Sequence, residues 1–222
     1  MKKNKKYYWN NFYKKRKSQF FWPWSDLVSL VNQFFNKKER VKVLEIGVGN
    51  GANIPFFLEK NFDFYGIDSS EFIIKILKKR FPKLKNKLYS GNFEDINVNK
   101  SKFDLIVDRG AISCGNDKNQ IFKIVKLIHL QLKKGGIFIG VDWYSKSSSY
   151  YKQKIKKSRS KNFFTFRNGP FKNIGSIYFS NKKNILNFFQ NFNILKIEEK
   201  KVLDQTNLKS KIFSTWSFVV KK

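Results

Sequence analysis

The stretch VLEIGVGNGANIPFF, residues 43–57, limits what this chain can fold into more than any other. An apolar run reaches Glu45, then Gly47, Gly49 and Gly51 follow at alternate positions, and a helix-like segment begins. Glycine lets a backbone turn tightly and approach a ligand closely. A strand, a glycine turn and a helix N-terminus therefore predict a nucleotide-type site at the carboxyl edge of a parallel sheet. The alternative is a plain strand-to-helix turn, which needs fewer glycines.

Strands and helices alternate along the chain, which calls for a mostly parallel sheet with helices on both faces. The predicted strands are residues 41–46, 62–67, 84–89, 103–107 and 137–141, with two late strands, 194–203 and 212–221, as an antiparallel hairpin. The predicted helices are residues 25–36, 53–60, 69–80, 118–132 and 180–190. Candidate N-caps are Ser25 or Asp26, Ser69 or Ser70, and Ser180 or Asn181, and Lys133, Lys134 and Gly135 form a helix C-terminal signal. We expect a Rossmann-like, doubly wound α/β fold with a mostly parallel seven-stranded sheet and an antiparallel edge strand from the hairpin.

Further segments distinguish between ligands for the glycine turn. Gly47-x-Gly49-x-x-Ala52 fits a dinucleotide fingerprint, but Glu45 lies where a dinucleotide-binding strand usually stays apolar. LEIGVGNG instead resembles motif I of class I S-adenosylmethionine-dependent methyltransferases, an acid followed by Gly-x-Gly-x-Gly. FYGIDSS, SGNFEDI and LKKGGIFIGVDW resemble later segments of that family, in the same order. The resemblance covers about residues 38–142.

The resemblance implies S-adenosyl-L-methionine as cofactor. The cofactor-binding residues that it implies are Glu45, Gly47, Gly49, Gly51, Asp68, Ser69, Asn92, Phe93 and Asp108. Asp68 would accept hydrogen bonds from both ribose hydroxyls, because a charged acceptor binds a diol strongly. The alternative is that Asp68 only caps the next helix. The family usually has Asp where this chain has Asn92, whose carbonyl could meet the adenine amine, while Phe93 could lie against the ring.

FDLIVDRGAISCGN, residues 103–116, resembles the family's fourth motif, which ends a strand beside the methyl group. Its Asp-Arg-Gly-Ala segment, residues 108–111, is similar to that of the thiopurine-type branch, as is Gly-Pro-Phe at residues 169–171. This short similarity locates the site and leaves the substrate open. Asp108 is a candidate general base, and Arg109 could orient an anionic acceptor through its planar fork. Alternatively, Asp108 is a structural carboxylate that pairs with Arg109 or caps a loop.

With 222 residues, the chain has enough material for one sizeable core. We expect one domain, with an aromatic, partly helical lid at residues 1–40, a cofactor-binding core at 41–142, and an acceptor loop and hairpin at 143–222. Trp22 and Trp24 either cover the cofactor or pack beneath the first helix. The irregular loop 143–176 carries residues that could enclose the acceptor, namely Tyr144, Tyr150, Tyr151, Phe163, Phe164, Phe166 and Arg167.

Two less informative residues are predicted to be structural. Cys114 is expected to be a small residue in the loop after its strand, and His129 a packing residue of its helix. No His/Cys cluster suggests a metal. Because Cys114 is the only cysteine, no internal disulfide can form, and no apolar run approaches the roughly 20 residues that span a bilayer. We therefore expect a cytoplasmic protein that does not insert into membranes, and a monomer.

The formal net charge of +30 suggests a polyanion such as RNA as a partner. However, the basic residues are mostly Lys, spread along the chain, and A/T-rich codons alone favour Lys, Asn, Ile and Phe. The chain also lacks an Asn-Pro-Pro-Tyr-type motif, which many methylases of exocyclic base amines use. We therefore predict a methyltransferase that acts on a small molecule. An RNA methyltransferase is the alternative, followed by an NAD-dependent oxidoreductase and a non-catalytic protein that binds S-adenosylmethionine.

Overall fold

One seven-stranded sheet organises the chain. The computed structural model describes residues 5–15, 22–35, 41–95, 102–155, 162–206 and 211–222. The strands of the sheet are β1 Lys42–Ile46, β2 Asp63–Asp68, β3 Leu88–Ser90, β4 Phe103–Arg109, β5 Leu132–Tyr144, β8 Asn193–Asp204 and β9 Lys211–Lys221, and a second, two-stranded sheet contains β6 Phe163–Thr165 and β7 Ser176–Tyr178. The helices are α1 Lys5–Lys15, α2 Ser25–Phe34, α3 Ile54–Glu59, α4 Glu71–Arg80, α5 Lys118–Gln131, α6 Ser149–Ile155 and α7 Lys182–Phe188.

The strand order in the large sheet is β3-β2-β1-β4-β5-β9-β8. The first five strands pair in parallel, so that their carboxyl ends meet at one edge of the sheet. Strand β9 pairs antiparallel with β5, and β8 pairs antiparallel with β9 on the outside. The predicted α/β fold and its C-terminal hairpin are thereby confirmed. The order reverses between β1 and β4, and a crevice forms at such a switch point.

Two apolar clusters cover the two faces of this sheet. Successive residues of a strand point to opposite faces, so Leu44 joins one cluster and Val43 the other. Strand β4 divides in the same way, with Ile106 beside Leu44 and Leu105 beside Val43. Helices α5 and α7 add buried side chains to the cluster of Leu44, and α2, α3 and α4 add theirs to the cluster of Val43.

Two predicted boundaries were wrong. The strand predicted at residues 84–89 is only Leu88–Ser90, because the segment Pro82–Lys87 is a 3-10 helix that starts at a proline, which has no N–H for a strand ladder. Helix α5 ends at Gln131 with Leu132 as its C-cap, close to the predicted end, but the strand predicted from residue 137 already begins at Leu132, so the predicted C-terminal signal at residues 133–135 belongs to β5. Strand β5 carries extra residues in a bulge opposite Phe103 and Leu105, and Gly135, with φ of 74°, accommodates it.

The predicted helix caps are right at two of three helices. Ser70 accepts a hydrogen bond from the backbone of Ile73, and Asn181 accepts one from the backbone of Asn184. At α2 the N-cap is Trp24 in an extended conformation, so neither Ser25 nor Asp26 has that role. Asn36, the predicted end of this helix, lies outside the described residues.

The described part of residues 143–176 has more regular structure than the sequence predicted. It contains α6 and β6, which pairs with β7, and its aromatic side chains join Phe179 in a third apolar cluster that includes Phe164 and Phe171. The burial of these rings stabilises what the sequence indicated as an irregular loop. In the part of the chain that the structure describes, no helix is both long and apolar enough to cross a bilayer.

Candidate functional site

A cavity of about 270 Å³ lies at the carboxyl edge of the sheet, at the crevice between β1 and β4. Most of the predicted site residues line it, namely Glu45, Gly47, Gly49, Asp68, Ser69, Asn92, Phe93 and Arg109. Gly51 and Asp108 do not line it. The motifs were recognised by their order along the chain, and the fold brings most of their residues together in this cavity.

Glu45 is a buried carboxylate with one free oxygen. Its Oε1 accepts a hydrogen bond of 2.6 Å from Nδ2 of Asn53, whose Oδ1 in turn accepts one from the backbone of Trp24. Its Oε2 is buried and has no hydrogen-bond partner among the described residues. Burial raises the pKa of Glu45 to about 8. Sequence reasoning missed Asn53, although its place immediately before α3 marks it as a residue that can reach back to the strand end.

Asp68 connects the glycine turn to the end of β2. Its Oδ2 accepts a hydrogen bond of 2.9 Å from the backbone of Gly49, and its Oδ1 accepts one of 2.8 Å from the backbone of Ser70. A carboxylate oxygen can accept two hydrogen bonds, so each oxygen keeps capacity for a ligand hydroxyl. Burial raises the pKa of Asp68 to about 6, which the two backbone donors and the charge of Lys5 counteract.

The three glycines of the turn have different roles. A Cβ on Gly47 would lie 2.2 Å from Cβ of Ala111, so this glycine lets the turn pack against the loop after β4. Gly49 faces the cavity beneath Tyr13 of α1. A Cβ on Gly51 would lie 2.7 Å from Cδ2 of Leu77, so Gly51 serves packing against α4. The structure therefore does not place Gly51 in the ligand-binding wall where the sequence predicted it.

Asp108 does not have the exposure that a general base needs. Its side chain is fully buried, and its Oδ1 accepts hydrogen bonds of 3.1 Å from the backbones of Ala111 and Ile112. Its Oδ2 accepts one of 2.7 Å from Nε1 of Trp143. Burial raises the pKa of Asp108 to about 7. The prediction of Asp108 as base and cofactor contact is corrected to the structural alternative, in which it caps the loop after β4.

Arg109 lies in the cavity wall but does not pair with Asp108. Its Nη2 forms an ion pair with Oδ2 of Asp142, and its Cζ lies 3.5 Å from the ring centroid of Trp24. The face of Trp24 is thus occupied by a guanidinium, while Trp22 is 83% exposed and does not line the cavity. Arg109 therefore positions Trp24, and Asp142 balances its charge.

Helix α1 covers the cavity with residues that the sequence did not single out, namely Lys5, Trp9, Phe12 and Tyr13. Asn10 fastens the helix, because its Oδ1 accepts hydrogen bonds of 2.7 Å from Oγ of Ser70 and 3.2 Å from the backbone of Phe72. Lys6 adds an ion pair of 3.0 Å to Glu71. In the sequence, the only indication of these residues was the aromatic composition of the N-terminal segment.

The predicted acceptor loop contributes less to the cavity than expected. Tyr144 lines it, whereas Tyr150, Tyr151, Phe163, Phe164 and Phe166 are not among its lining residues and pack in apolar clusters. Arg167 is exposed.

The remaining predictions concern a thiol, an imidazole and metals. Cys114 lines the cavity but stays a neutral thiol, because burial raises its pKa to about 12. His129 packs its ring edge-on against Phe192, as predicted. No cluster of potential metal ligands occurs within the described residues.

Comparisons with known proteins identify the family. Residues 37–193, more than half of the chain, match the sequence model of a methyltransferase domain. The chain belongs to this methyltransferase family. No curated protein matches the methyltransferase by sequence.

Solved structures share the fold of the methyltransferase at low identity. An S-adenosylmethionine-dependent methyltransferase from Methanosarcina mazei is 17% identical with a TM-score of 0.70, covering 87% of this chain and 96% of that one. TehB from Haemophilus influenzae is 16% identical with a TM-score of 0.64, covering 97% and 67%. The 1,6-didemethyltoxoflavin N1-methyltransferase of Burkholderia thailandensis, solved with S-adenosylhomocysteine, is 12% identical with a TM-score of 0.59, covering 89% and 77%.

S-adenosyl-L-methionine is the cofactor of the methyltransferase. The residues of the cavity fit this group. The free Oε2 of Glu45 offers an acceptor, the oxygens of Asp68 offer acceptors for a diol, and Gly49 leaves room for a ligand at the turn.

Proposed function

We propose that the protein transfers a methyl group from S-adenosyl-L-methionine to a small-molecule acceptor. The observation that supports a small acceptor is that a helix and several aromatic side chains cover the cavity. Helix α1 lies across the site and lines it with Trp9, Phe12 and Tyr13, while Trp24 and Tyr144 line it from other elements. Apolar and aromatic walls with a few polar groups are typical of small-molecule sites.

The chain's own residues bind and orient the donor. Asp68 would accept hydrogen bonds from the ribose hydroxyls, and the backbone at Gly47 and Gly49 would lie against the ligand. The positive charge of the donor would favour the ionised form of Glu45, whose Oε2 would then accept a hydrogen bond from it. Asn92 and Phe93 take the adenine end of the cavity; Nδ2 of Asn92 donates to Oδ2 of Asp95 at 2.8 Å, which fixes the amide. When bound, the donor supplies an activated methyl group on a sulfonium.

Catalysis in this proposal comes from alignment. The residues of the cavity would hold the acceptor nucleophile in line with the donor's methyl group, and such positioning can supply roughly 7 to 11 kcal/mol. Asp108 takes no proton in this scheme, because it lies behind the cavity wall with its oxygens engaged. Ser69 lies in the wall beside Asp68 and completes the ribose end.

The test is methyl incorporation from labelled donor into a small-metabolite extract and into total RNA, side by side at physiological salt. We expect label in the small-molecule fraction only, and we expect Asp68→Ala to reduce it. Site-specific labelling of RNA that Asp68→Ala abolishes would establish the RNA methyltransferase instead. Label in neither fraction, with the donor bound, would indicate a non-catalytic protein.

A further inference from the structure

A lysine from α1 lies where two cavities meet. The cavity at the carboxyl edge of the sheet adjoins a second one of about 450 Å³, and Lys5, Asn92, Glu94 and Asn116 line both. The second cavity extends between α1, the turn after β3, the loop after β4 and the start of β7. A ligand that reaches the methyl donor through the second cavity therefore passes Lys5.

The loop after β4 holds the Lys5 side chain in place. Its stem runs along Gly115, where a Cβ would lie 3.1 Å from Cγ of Lys5, so a larger residue there would press on the stem. Its Nζ donates a hydrogen bond of 2.8 Å to Oδ1 of Asn116. Asn116 is 1% exposed and donates from Nδ2 to the carbonyl of Ile112 at 2.9 Å. This amide can therefore orient the ammonium toward the junction.

The ammonium retains hydrogen-bonding capacity. It has three N–H donors, and the neutral amide of Asn116 takes one. Within the described ranges, no carboxylate forms an ion pair with Lys5, although the charges of Glu94, Asp108 and Asp95 act on it from farther away. Burial lowers the pKa of Lys5. A partly desolvated cation in this position favours a negative partner more strongly than a lysine in water does.

The carboxylates Glu94 and Asp95 also line the second cavity, but neither forms an ion pair with Lys5 within the described residues. The other cation of the first cavity, Arg109, is already balanced by Asp142. The sulfonium of the donor is itself a cation and cannot accept a hydrogen bond. We propose that Lys5 recognises an anionic group of the methyl acceptor, so that the acceptor is a small organic anion bound across the two cavities. This inference rests on the proposed function.

The test separates the acceptors by charge. A small-metabolite extract is divided at neutral pH into fractions retained by an anion exchanger, retained by a cation exchanger and retained by neither, and each fraction is assayed for methyl incorporation. Lys5→Met and Lys5→Gln are compared with Lys15→Met, which changes an exposed lysine at the other end of the same helix. Binding of S-adenosylhomocysteine and thermal unfolding are measured for every variant.

We expect the label in the anion-exchange fraction. Both Lys5 variants should reduce incorporation about ten-fold or more, the scale of a lost hydrogen bond between charged groups. Incorporation by Lys15→Met, and the binding of S-adenosylhomocysteine to every variant, should stay unchanged. Label in the cation-exchange or unretained fraction overturns the inference and leaves the proposed function standing. Equal loss of incorporation in the Lys5 and Lys15 variants, or a loss of S-adenosylhomocysteine affinity as large as the loss of transfer, also overturns it. Label in no fraction contradicts the proposed function and this inference together.

Discussion

At the scale of single residues, Asp108 is a buried acceptor whose three partners are all N–H groups. Asp108→Asn replaces one acceptor oxygen with a donor, so at least one of these N–H groups loses its partner. We expect the free energy of unfolding to fall by about 1 to 3 kcal/mol, measured by denaturant titration. A general base contributes about 100-fold or more to the rate. If Asp108 is not the base, the rate of methyl transfer per folded molecule should fall by less than that. Unchanged stability with a larger loss of transfer would restore Asp108 as the base.

Asp68 should make donor binding depend on pH. Its pKa in the empty protein is raised to about 6, and only the ionised carboxylate accepts two hydrogen bonds at full strength. The affinity for S-adenosylhomocysteine should therefore fall by about ten-fold per unit as the pH drops below 6. Calorimetry from pH 5 to 7 measures it, below the range in which Glu45 titrates. Asp68→Asn should bind weakly and without this slope, and the same slope in this variant would assign the titration to another group.

Sequence reasoning predicted the strand-end residues that line the cavity and missed the residues that reach it from α1. Glu45, Gly49 and Asp68 were predictable, because a parallel sheet brings strand ends to one edge. The role of Gly51 was not, since its contact with Leu77 depends on how α4 packs. Lys5 was not predictable either, because nothing in the sequence distinguishes it from the other lysines of the N-terminal segment.

At the scale of elements, helix α1 joins the site through contacts with residues that are far from it in the sequence. Asn10 lies 60 residues from Ser70, whose hydroxyl donates to it, and Ser70 also donates its backbone N–H to Asp68. Docking of α1 is thus connected to the carboxylate proposed to hold the ribose. The sequence predicted a lid at residues 1–40 but no contact that fastens it. Such contacts depend on the packing of α1 and α4, which no local pattern encodes.

Asn10→Ala and Asn11→Ala form a matched pair on this helix. The side chain of Asn10 accepts two hydrogen bonds, whereas no hydrogen bond of the Asn11 side chain occurs within the described residues. The loss of both bonds should weaken the affinity for S-adenosylhomocysteine about ten-fold in Asn10→Ala and leave Asn11→Ala unchanged. Calorimetry measures the affinity, and the rate of dissociation should rise in parallel. Equal behaviour of the two variants would show that α1 does not cover the donor.

At the scale of the whole molecule, the net charge of +30 sets how the protein meets polyanions. Phosphate contacts release counterions whatever the sequence of the RNA, so some RNA binding is expected. It should be similar for unrelated RNAs and collapse between about 50 and 200 mM salt, as fluorescence anisotropy with two unrelated labelled RNAs can measure. A large preference for one RNA that persists as salt rises would instead indicate an RNA substrate.

The central claim is that the cavity between β1 and β4 holds the methyl donor through Asp68. Calorimetric titration with S-adenosylhomocysteine tests it directly, in the wild type, in Asp68→Ala, and in Asp63→Ala as the same change at the other end of β2. We predict binding to the wild type and to Asp63→Ala, and binding about 10- to 100-fold weaker in Asp68→Ala, the loss expected for a charged acceptor. NAD should not bind. Tight binding of NAD without binding of S-adenosylhomocysteine, or equal binding to both variants, would contradict the account.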